Sequence, residues 1–586
     1  MKATIRKQIY RNLMRLIICL ILSMYLTANH AGYAVVTAHP LATRIGEQIL
    51  EQGGNAFDAA VAVAAALAVV EPYASGLGGG GFWLLHRARD GFEVIIDGRE
   101  TAPENAHEAL YLDDNGKLIP QASLTGGLAA AIPGTPAALA HVTRKYGNNS
   151  LMRNLIPAIR LARKGFIADS RLVNAIANHQ QKLSLFSASA RIFTPDGRVP
   201  AKGERFYQRE LAKTLAKLGK YGESGFYRGM IATDLIRSIN ANNGIWTQTD
   251  LEKYRVIERP PTYIQYRDAK ITTAGLPSAG GLTLAQALNI LEQFDLKEKD
   301  DVEQAHLIIE AMRRAYEDRT NCFGDTDFVV VDTEKFSSKT YAARRATTIN
   351  LDKASQSQLQ PNKLACRDDT WPQFRLRSLT PKIQQNLDMA QEGENTSHFS
   401  IMDSEGNRVA TTLSINTFFG SGLVAGNTGI LVNSEMDDFT TALNAPNIYG
   451  LRGSLANTIK PGKRPLSSMS PTFVENNQSI LIGGTPGGAR IISSMLLIII
   501  GFIDQQQTEI TSLIANPRYH HQYLPDEVLI EADGFNKNWV NALKEKKHKV
   551  IEVNRKWGNM QLIIFDKATD KLKTASDPRA NEYVLY

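Results

Sequence analysis

The run Asn395-Thr396-Ser397-His398-Phe399-Ser400 holds the residue types best placed to do chemistry. A threonine opens a segment in which Phe399, Ile401 and Val409 alternate with polar residues, the period-2 pattern of a half-buried strand. A long polar stretch rich in Gln, Asn, Lys and Asp precedes it. Cutting the chain between Asn395 and Thr396 would place an α-amine beside the threonine hydroxyl, giving a nucleophile and its base within one residue. On these residues alone the default is an ordinary boundary between loop and strand, where threonine is common.

Three later clusters are too polar for plain core. Leu431–Phe439 sets Glu435, Asp437 and Asp438 beside apolar strand residues. Pro465–Pro471 carries Ser467, Ser468 and Ser470 in a proline-bounded loop. Thr485-Pro486-Gly487-Gly488-Ala489-Arg490 opens an apolar helix with two glycines whose N–H groups suit an anion. Each has a structural alternative: a solvated acidic turn, a rigid loop, a helix start. Together they supply a hydroxyl nucleophile, carboxylates for an ammonium, hydroxyls for a carboxylate and an oxyanion hole.

The elements that must position them follow from periodicity. Helical patterns cover Leu41–Gln52, stopped by Gly53-Gly54, and Ala59–Val70, an almost pure Ala/Val segment capped by Asn55 or Asp58. The glycine run Gly76 to Gly81 lacks a Gly-Lys-Ser/Thr ending and precedes strands at Phe82–Leu85 and Phe92–Asp97, so it reads as close backbone packing, not a phosphate cradle. Helices dominate residues 136–320, with short strands at Tyr263–Gln265 and Lys270–Ala274. A polar arm, expected to be mobile, runs from about Leu351 to Asn395. Beyond Thr396 strands follow one another: His398–Met402, Val409–Ser414, Ile430–Val432, Thr472–Glu475 and Ser479–Ile482. A very apolar helix, Ile491–Ile503, is too short to cross a bilayer. Strands flanked by helices at both ends of the chain predict one layered α/β core built from both halves.

Composition excludes some classes. The net charge of +7 owes five units to Lys2, Arg6, Lys7, Arg11 and Arg15, which leaves no basic stripe for nucleic acid. Residues 1–31 read as a signal peptide: a basic start, an apolar run from Leu16 to Leu26, then Ala28, Ala31 and Ala34. Its removal leaves Cys322 and Cys366, free or paired with each other. His520-His521 is read as structural, and no metal or cofactor is expected.

With these motifs in order, the mature chain resembles the γ-glutamyltranspeptidases (glutathione hydrolases), N-terminal-nucleophile hydrolases. The resemblance rests on Gly53-Gly54-Asn55-Ala56 with Asp58-Ala59-Ala60, Leu77 to Gly81, Glu310-Ala311 with Arg313-Arg314-Ala315-Tyr316, and the run from Thr396 to Arg490. It implies a four-layer αββα sandwich assembled from a precursor that cleaves itself between Asn395 and Thr396 into chains 32–395 and 396–586, which remain together as a heterodimer. It further implies Thr396 as nucleophile, Ser414 (often threonine in the family) as its hydrogen-bonding assistant, and Gly487 and Gly488 as the oxyanion pair. Arg99, Ser467 and Ser468 would hold the substrate α-carboxylate. Asn416, Glu435 and Asp438 would hold the α-ammonium, and Tyr449, in Pro446–Gly450, would be the lid. The substrates implied are glutathione and other γ-glutamyl compounds, with water, amino acids or dipeptides as acceptors, in an exported, periplasmic location. Two alternatives remain: a related amide hydrolase (cephalosporin acylase or poly-γ-glutamate depolymerase), and an uncleaved homologue that only binds.

Overall fold

The computed structural model describes residues 32–358, 395–443 and 445–580. The signal peptide expected over 1–31, Cys366 and most of the polar arm lie outside the described residues. Two six-stranded antiparallel sheets carry the fold. Their strands, in chain order, are β1 (Ala34–Thr37), β2 (Gly80–Arg87), β3 (Phe92–Gly98), β4 (Ile257–Arg259), β5 (Thr262–Tyr266), β6 (Ala269–Thr273), β7 (Thr396–Met402), β8 (Arg408–Ser414), β9 (Thr472–Glu475), β10 (Ser479–Gly484), β11 (Gln561–Asp566) and β12 (Lys571–Ser576). The first sheet has the order β1-β7-β8-β2-β3-β4, the second β12-β11-β10-β9-β6-β5. Both sheets contain strands from before and after Thr396, so neither half closes a sheet alone.

Helices cover the outer faces. On the first sheet pack α1 (Pro40–Glu51), α2 (Ala56–Val70), α3 (Thr135–Tyr146) and α4 (Leu151–Lys164). On the second pack α5 (Gly280–Leu291), α6 (Asp301–Cys322) and α7 (Arg490–Ile503). A third apolar cluster, including Phe82, Leu84, Ile95, Phe473, Ile482 and Ile563, lies between the sheets. Three cores separating four layers make an αββα sandwich.

Helix α2 shows how composition dictates position. All 15 of its residues are buried, because its side chains, mostly Ala and Val, are small enough to let it lie flat on the sheet. Asn55 is its cap: the Asn55 side chain accepts from the Phe57 and Asp58 N–H groups, and Asp58 accepts from the Asn55 N–H. The glycine run brings backbones together as expected. A Cβ on Gly79 would sit 2.0 Å from the Ser414 carbonyl oxygen, and one on Gly78 1.9 Å from that of Leu431.

Three expectations need correction. Strand β7 is buried on both faces. Phe399 and Ile401 enter the helix-facing core. The intervening polar residues meet the second sheet and satisfy one another: His398 Nδ1 pairs with Thr412 Oγ1 at 2.9 Å, and Ser400 donates to the Gln561 carbonyl at 3.0 Å. Alternation therefore reports two different buried environments, not water on one side. Ile430–Val432 forms only single bridges, Val432 to Gly78 and Leu431 to Val424. The Asn433 side chain ends any ladder by donating to the Gly78 and Ala131 carbonyls, both at 2.7 Å. Finally, residues 351–358 are anchored: Ser355 donates to Glu310, Ser357 N–H donates to Asp526, and Arg313 bridges Glu310, Asp526 and Ser357. Cys322 is disulfide-bonded.

Candidate active site

Strand register builds the nucleophile. Thr396 is the first residue of β7 and lies opposite Ser414, the last of β8, which in turn lies opposite Gly80 of β2. The Thr396 hydroxyl donates to Ser414 Oγ over 3.1 Å, and Ser414 donates to the Asn395 carbonyl over 3.3 Å. The Asn416 N–H also donates to Ser414 Oγ, at 2.9 Å, which fixes that hydroxyl as an acceptor from two sides and a donor to one. Asn416 occupies the left-handed region (φ 74°), a conformation asparagine tolerates better than other side chains.

Directly behind the nucleophile, Ser397 faces the other way, donating to Glu71 at 2.8 Å and accepting from Ser75 at 3.0 Å. His398 is buried between the sheets, and burial pushes its pKa down to about 3, so it is neutral. A Cβ on Gly484 would sit 2.3 Å from the His398 ring. The ring thus packs against the strand that leads to Gly487 and Gly488.

Ten of the eleven expected site residues line one cavity: Thr396, Ser414, Asn416, Gly488, Arg99, Glu435, Asp438, Tyr449, Ser467 and Ser468. Gly487 adjoins Gly488 without lining it. Both glycines have positive φ, 140° and 55°, which turn the backbone into α7.

A model of the family described as Gamma-glutamyltranspeptidase matches residues 42–586. The chain belongs to the gamma-glutamyltranspeptidase family. It is 38% identical over 551 residues to a glutathione hydrolase proenzyme of Escherichia coli (strain K12), covering 93% of this chain and 90% of that protein. Among solved structures it resembles a cephalosporin acylase from Bacillus halodurans (TM-score 0.78, 26% identity, 94% of both chains). It also resembles Helicobacter pylori gamma-glutamyltranspeptidase (TM-score 0.53, 40% identity, 54% of this chain and 91% of that one). The family assignment and the layered fold agree.

In this family member the head of the cavity is ionic. Arg99 is almost wholly buried and ion-paired with three carboxylates: Glu435 at 2.7 Å, Asp438 at 2.5 Å and Glu100 at 3.5 Å. Its Nε also donates to the Pro465 carbonyl at 3.2 Å. The expected division into an arginine for one end of a substrate and acids for the other is thus a single linked cluster. Neither oxygen of Glu435 or Glu100 has a well-aligned hydrogen bond. Burial accordingly pushes both acids up against the pull of Arg99, Glu100 to about 7 and Glu435 well above the carboxylate range.

The segment expected to be the lid is tied to the same acids. Asn447 donates to Asp438 at 3.1 Å, and the Ile448 N–H donates to Asp437 at 2.9 Å. Tyr449 donates to Asn416 Oδ1 at 2.9 Å, and its ring lies against Gly488, where a Cβ would come within 2.3 Å. Gln522 donates to the Tyr449 carbonyl at 3.1 Å and pairs with His520 at 2.8 Å, which pairs with Ser493 of α7 at 2.8 Å. His520 is thereby a structural link between Tyr449 and the start of α7.

Sequence reasoning missed Glu100 and Arg319. Glu100 is hidden by adjacency to Arg99. Arg319 is one of several arginines on α6 and after it; only its place one turn beyond Tyr316, whose hydroxyl donates to the Ala489 carbonyl at 2.5 Å, aims it at the cavity. Among the described residues, no group of three or more His, Cys, Asp or Glu side chains converges to hold a metal ion.

Proposed function

We propose that this protein is a self-cleaving γ-glutamyltransferase and glutathione hydrolase. The observation that carries the reading is the Thr396–Ser414–Asn395 contact, set in a cavity that also holds Arg99, Glu435, Asp438, Ser467 and Ser468. In maturation the Thr396 oxygen attacks the Asn395 carbonyl carbon while Ser414 donates to its oxygen. The C–N bond breaks, leaving an ester and a free Thr396 amine. Water then hydrolyses the ester to free the Asn395 carboxylate. Two chains, 32–395 and 396–586, remain interlocked through shared sheets as a heterodimer.

In turnover the Thr396 hydroxyl attacks the γ-carbonyl of glutathione or another γ-glutamyl amide. Its own α-amine takes the hydroxyl proton and passes it to the leaving amine. Backbone N–H groups of Gly487 and Gly488 stabilise the oxyanion. Water, or the amine of an amino acid or dipeptide, then takes the glutamyl group. Glu435, Asp438 and Asn416 receive the α-ammonium, and Arg99, Ser467 and Ser468 face the α-carboxylate. The ionic cluster favours donors with an intact α-amino-acid head over the glutaryl amides of an acylase. Residues 1–31 would direct export to the periplasm.

Denaturing electrophoresis of wild type beside Thr396→Ala, with N-terminal sequencing, tests this. Two chains in wild type, the smaller beginning Thr-Ser-His-Phe, and an uncut mutant are expected. A single uncut chain in both would overturn the reading in favour of a binding homologue.

A further inference from the structure

Arg99 and Arg319 are the two cations at the cavity, and they differ in how they are satisfied. Arg99 is surrounded by carboxylates. Arg319, only 4% exposed, makes no ion pair with a carboxylate among the described residues. Its Nη2 donates to Ser468 Oγ at 3.0 Å, and its Nε has no hydrogen-bond partner. A buried guanidinium without an acid partner is costly and is poised for an anion. It borders both the cavity that holds Thr396 and a second one beyond Asp438.

Its bond to Ser468 has a directional consequence. A hydroxyl that accepts from a cation keeps its own proton for another acceptor. Among the described residues the Ser468 hydroxyl donates to nothing, and neither does that of Ser467, which accepts from the Met469 N–H at 3.1 Å. Two serines are therefore held as donors facing the cavity, one of them polarised by a buried positive charge.

We propose that Arg319 is the positioning residue of the donor's α-carboxylate subsite, turning Ser468 into an obligate donor and supplying the counter-charge that Arg99 shares with its three acids. This rests on the γ-glutamyl reading above. The carboxylate of the bound donor accepts from Ser467 and Ser468, and the α6 guanidinium behind them balances its charge. Arg99, facing the same carboxylate, also holds down the negative charge of Glu100, Glu435 and Asp438.

The test compares two donors on processed enzyme: a γ-glutamyl anilide with a free α-carboxylate, and the same anilide with that carboxylate converted to the carboxamide. Arg319→Gln is expected to raise KM for the carboxylate donor by about 10- to 100-fold, as fits loss of a charge-assisted hydrogen bond. Its kcat should hold within a few-fold and the carboxamide donor should change little. Ser468→Ala should reproduce part of the effect and add little in the Arg319→Gln background. Equal losses on both donors would make Arg319 a purely structural residue, and no loss on either would remove it from the site. Should Arg319→Gln fail to mature, Arg319→Lys decides: with the charge kept behind Ser468, the carboxylate preference should stay within a few-fold of wild type, and its loss to the level of the carboxamide donor would overturn the proposal. Inactivity of wild type on both donors would instead count against the γ-glutamyl reading itself.

Discussion

The Thr396 hydroxyl donates to Ser414 Oγ over 3.1 Å, and the same Ser414 hydroxyl reaches the Asn395 carbonyl over 3.3 Å. In the proposed self-cleavage one side chain would therefore both orient the attacking oxygen and polarise the bond under attack. Ser414→Ala should remove both contacts and slow self-cleavage by about 100-fold, the low end for loss of an oxyanion donor. Ser414→Thr, which keeps the hydroxyl, should mature nearly normally. The decay of the precursor band after expression measures both rates. Unchanged maturation in the alanine variant would leave Ser414 as a packing residue.

Arg99 is expected to matter for stability as much as for binding. Its removal strands Glu100, Glu435 and Asp438 in a buried site, and breaking a buried ion pair from one side costs about 3–5 kcal/mol. Arg99→Ala should lower the urea midpoint, and Glu435→Gln in that background should recover part of the loss. Placing both changes on Thr396→Ala keeps every sample uncut. A midpoint equal to that of the parent would mean the acids simply take up protons at no cost.

The layered fold was legible because α2 is an almost unbroken run of Ala and Val and β7 alternates, and the site was legible because Thr396, Glu435, Asp438, Ser467 and Gly488 lie in short, unusual motifs. What the sequence hid was partnership. Alternation at Phe399 and Ile401 could not say that His398 and Ser400 face a second sheet, since burial against polar partners and exposure to water leave the same pattern. Nor could it say that Arg99 pairs with Glu435 and Asp438 across more than three hundred residues. Arg319 stayed unseen for the same reason: nothing along α6 separates it from Arg313 and Arg314, which instead clamp Glu310 and residues 355–357.

Glu100 gives a pH dependence whose sign can be worked out. Burial lifts its pKa from 4.5 to about 7. A carboxyl raised on folding contributes stability that is fully present below its ordinary value and is lost as pH rises through the folded one. The protein should therefore lose stability between about pH 4.5 and 7, and Glu100→Gln should flatten that slope. Glu93, Glu258 and Glu310, held near 2 by cationic partners, act the other way, losing their contribution only as acid approaches that range. Urea midpoints from about pH 2 to 8 separate the two windows. An unaltered slope in Glu100→Gln would assign it to another group.

The contact between Tyr449 and Gly488 couples the segment proposed as the lid to the glycine turn proposed as the oxyanion hole. Gly488 has φ 55°, and an added Cβ would lie 2.3 Å from the tyrosine ring. Gly488→Ala therefore carries a left-handed penalty of about 1–2 kcal/mol and displaces Tyr449 from its bond to Asn416. We expect kcat/KM for a γ-glutamyl anilide to fall by about 10- to 100-fold, combining that strain with an opened lid. Tyr449→Ala alone should cost less, because it leaves the turn intact. In the double variant the alanine at 488 finds room, so the combined loss should be smaller than the product of the single losses. Strict multiplication would show that Gly488 acts through its own backbone and that the ring above it is an independent cover.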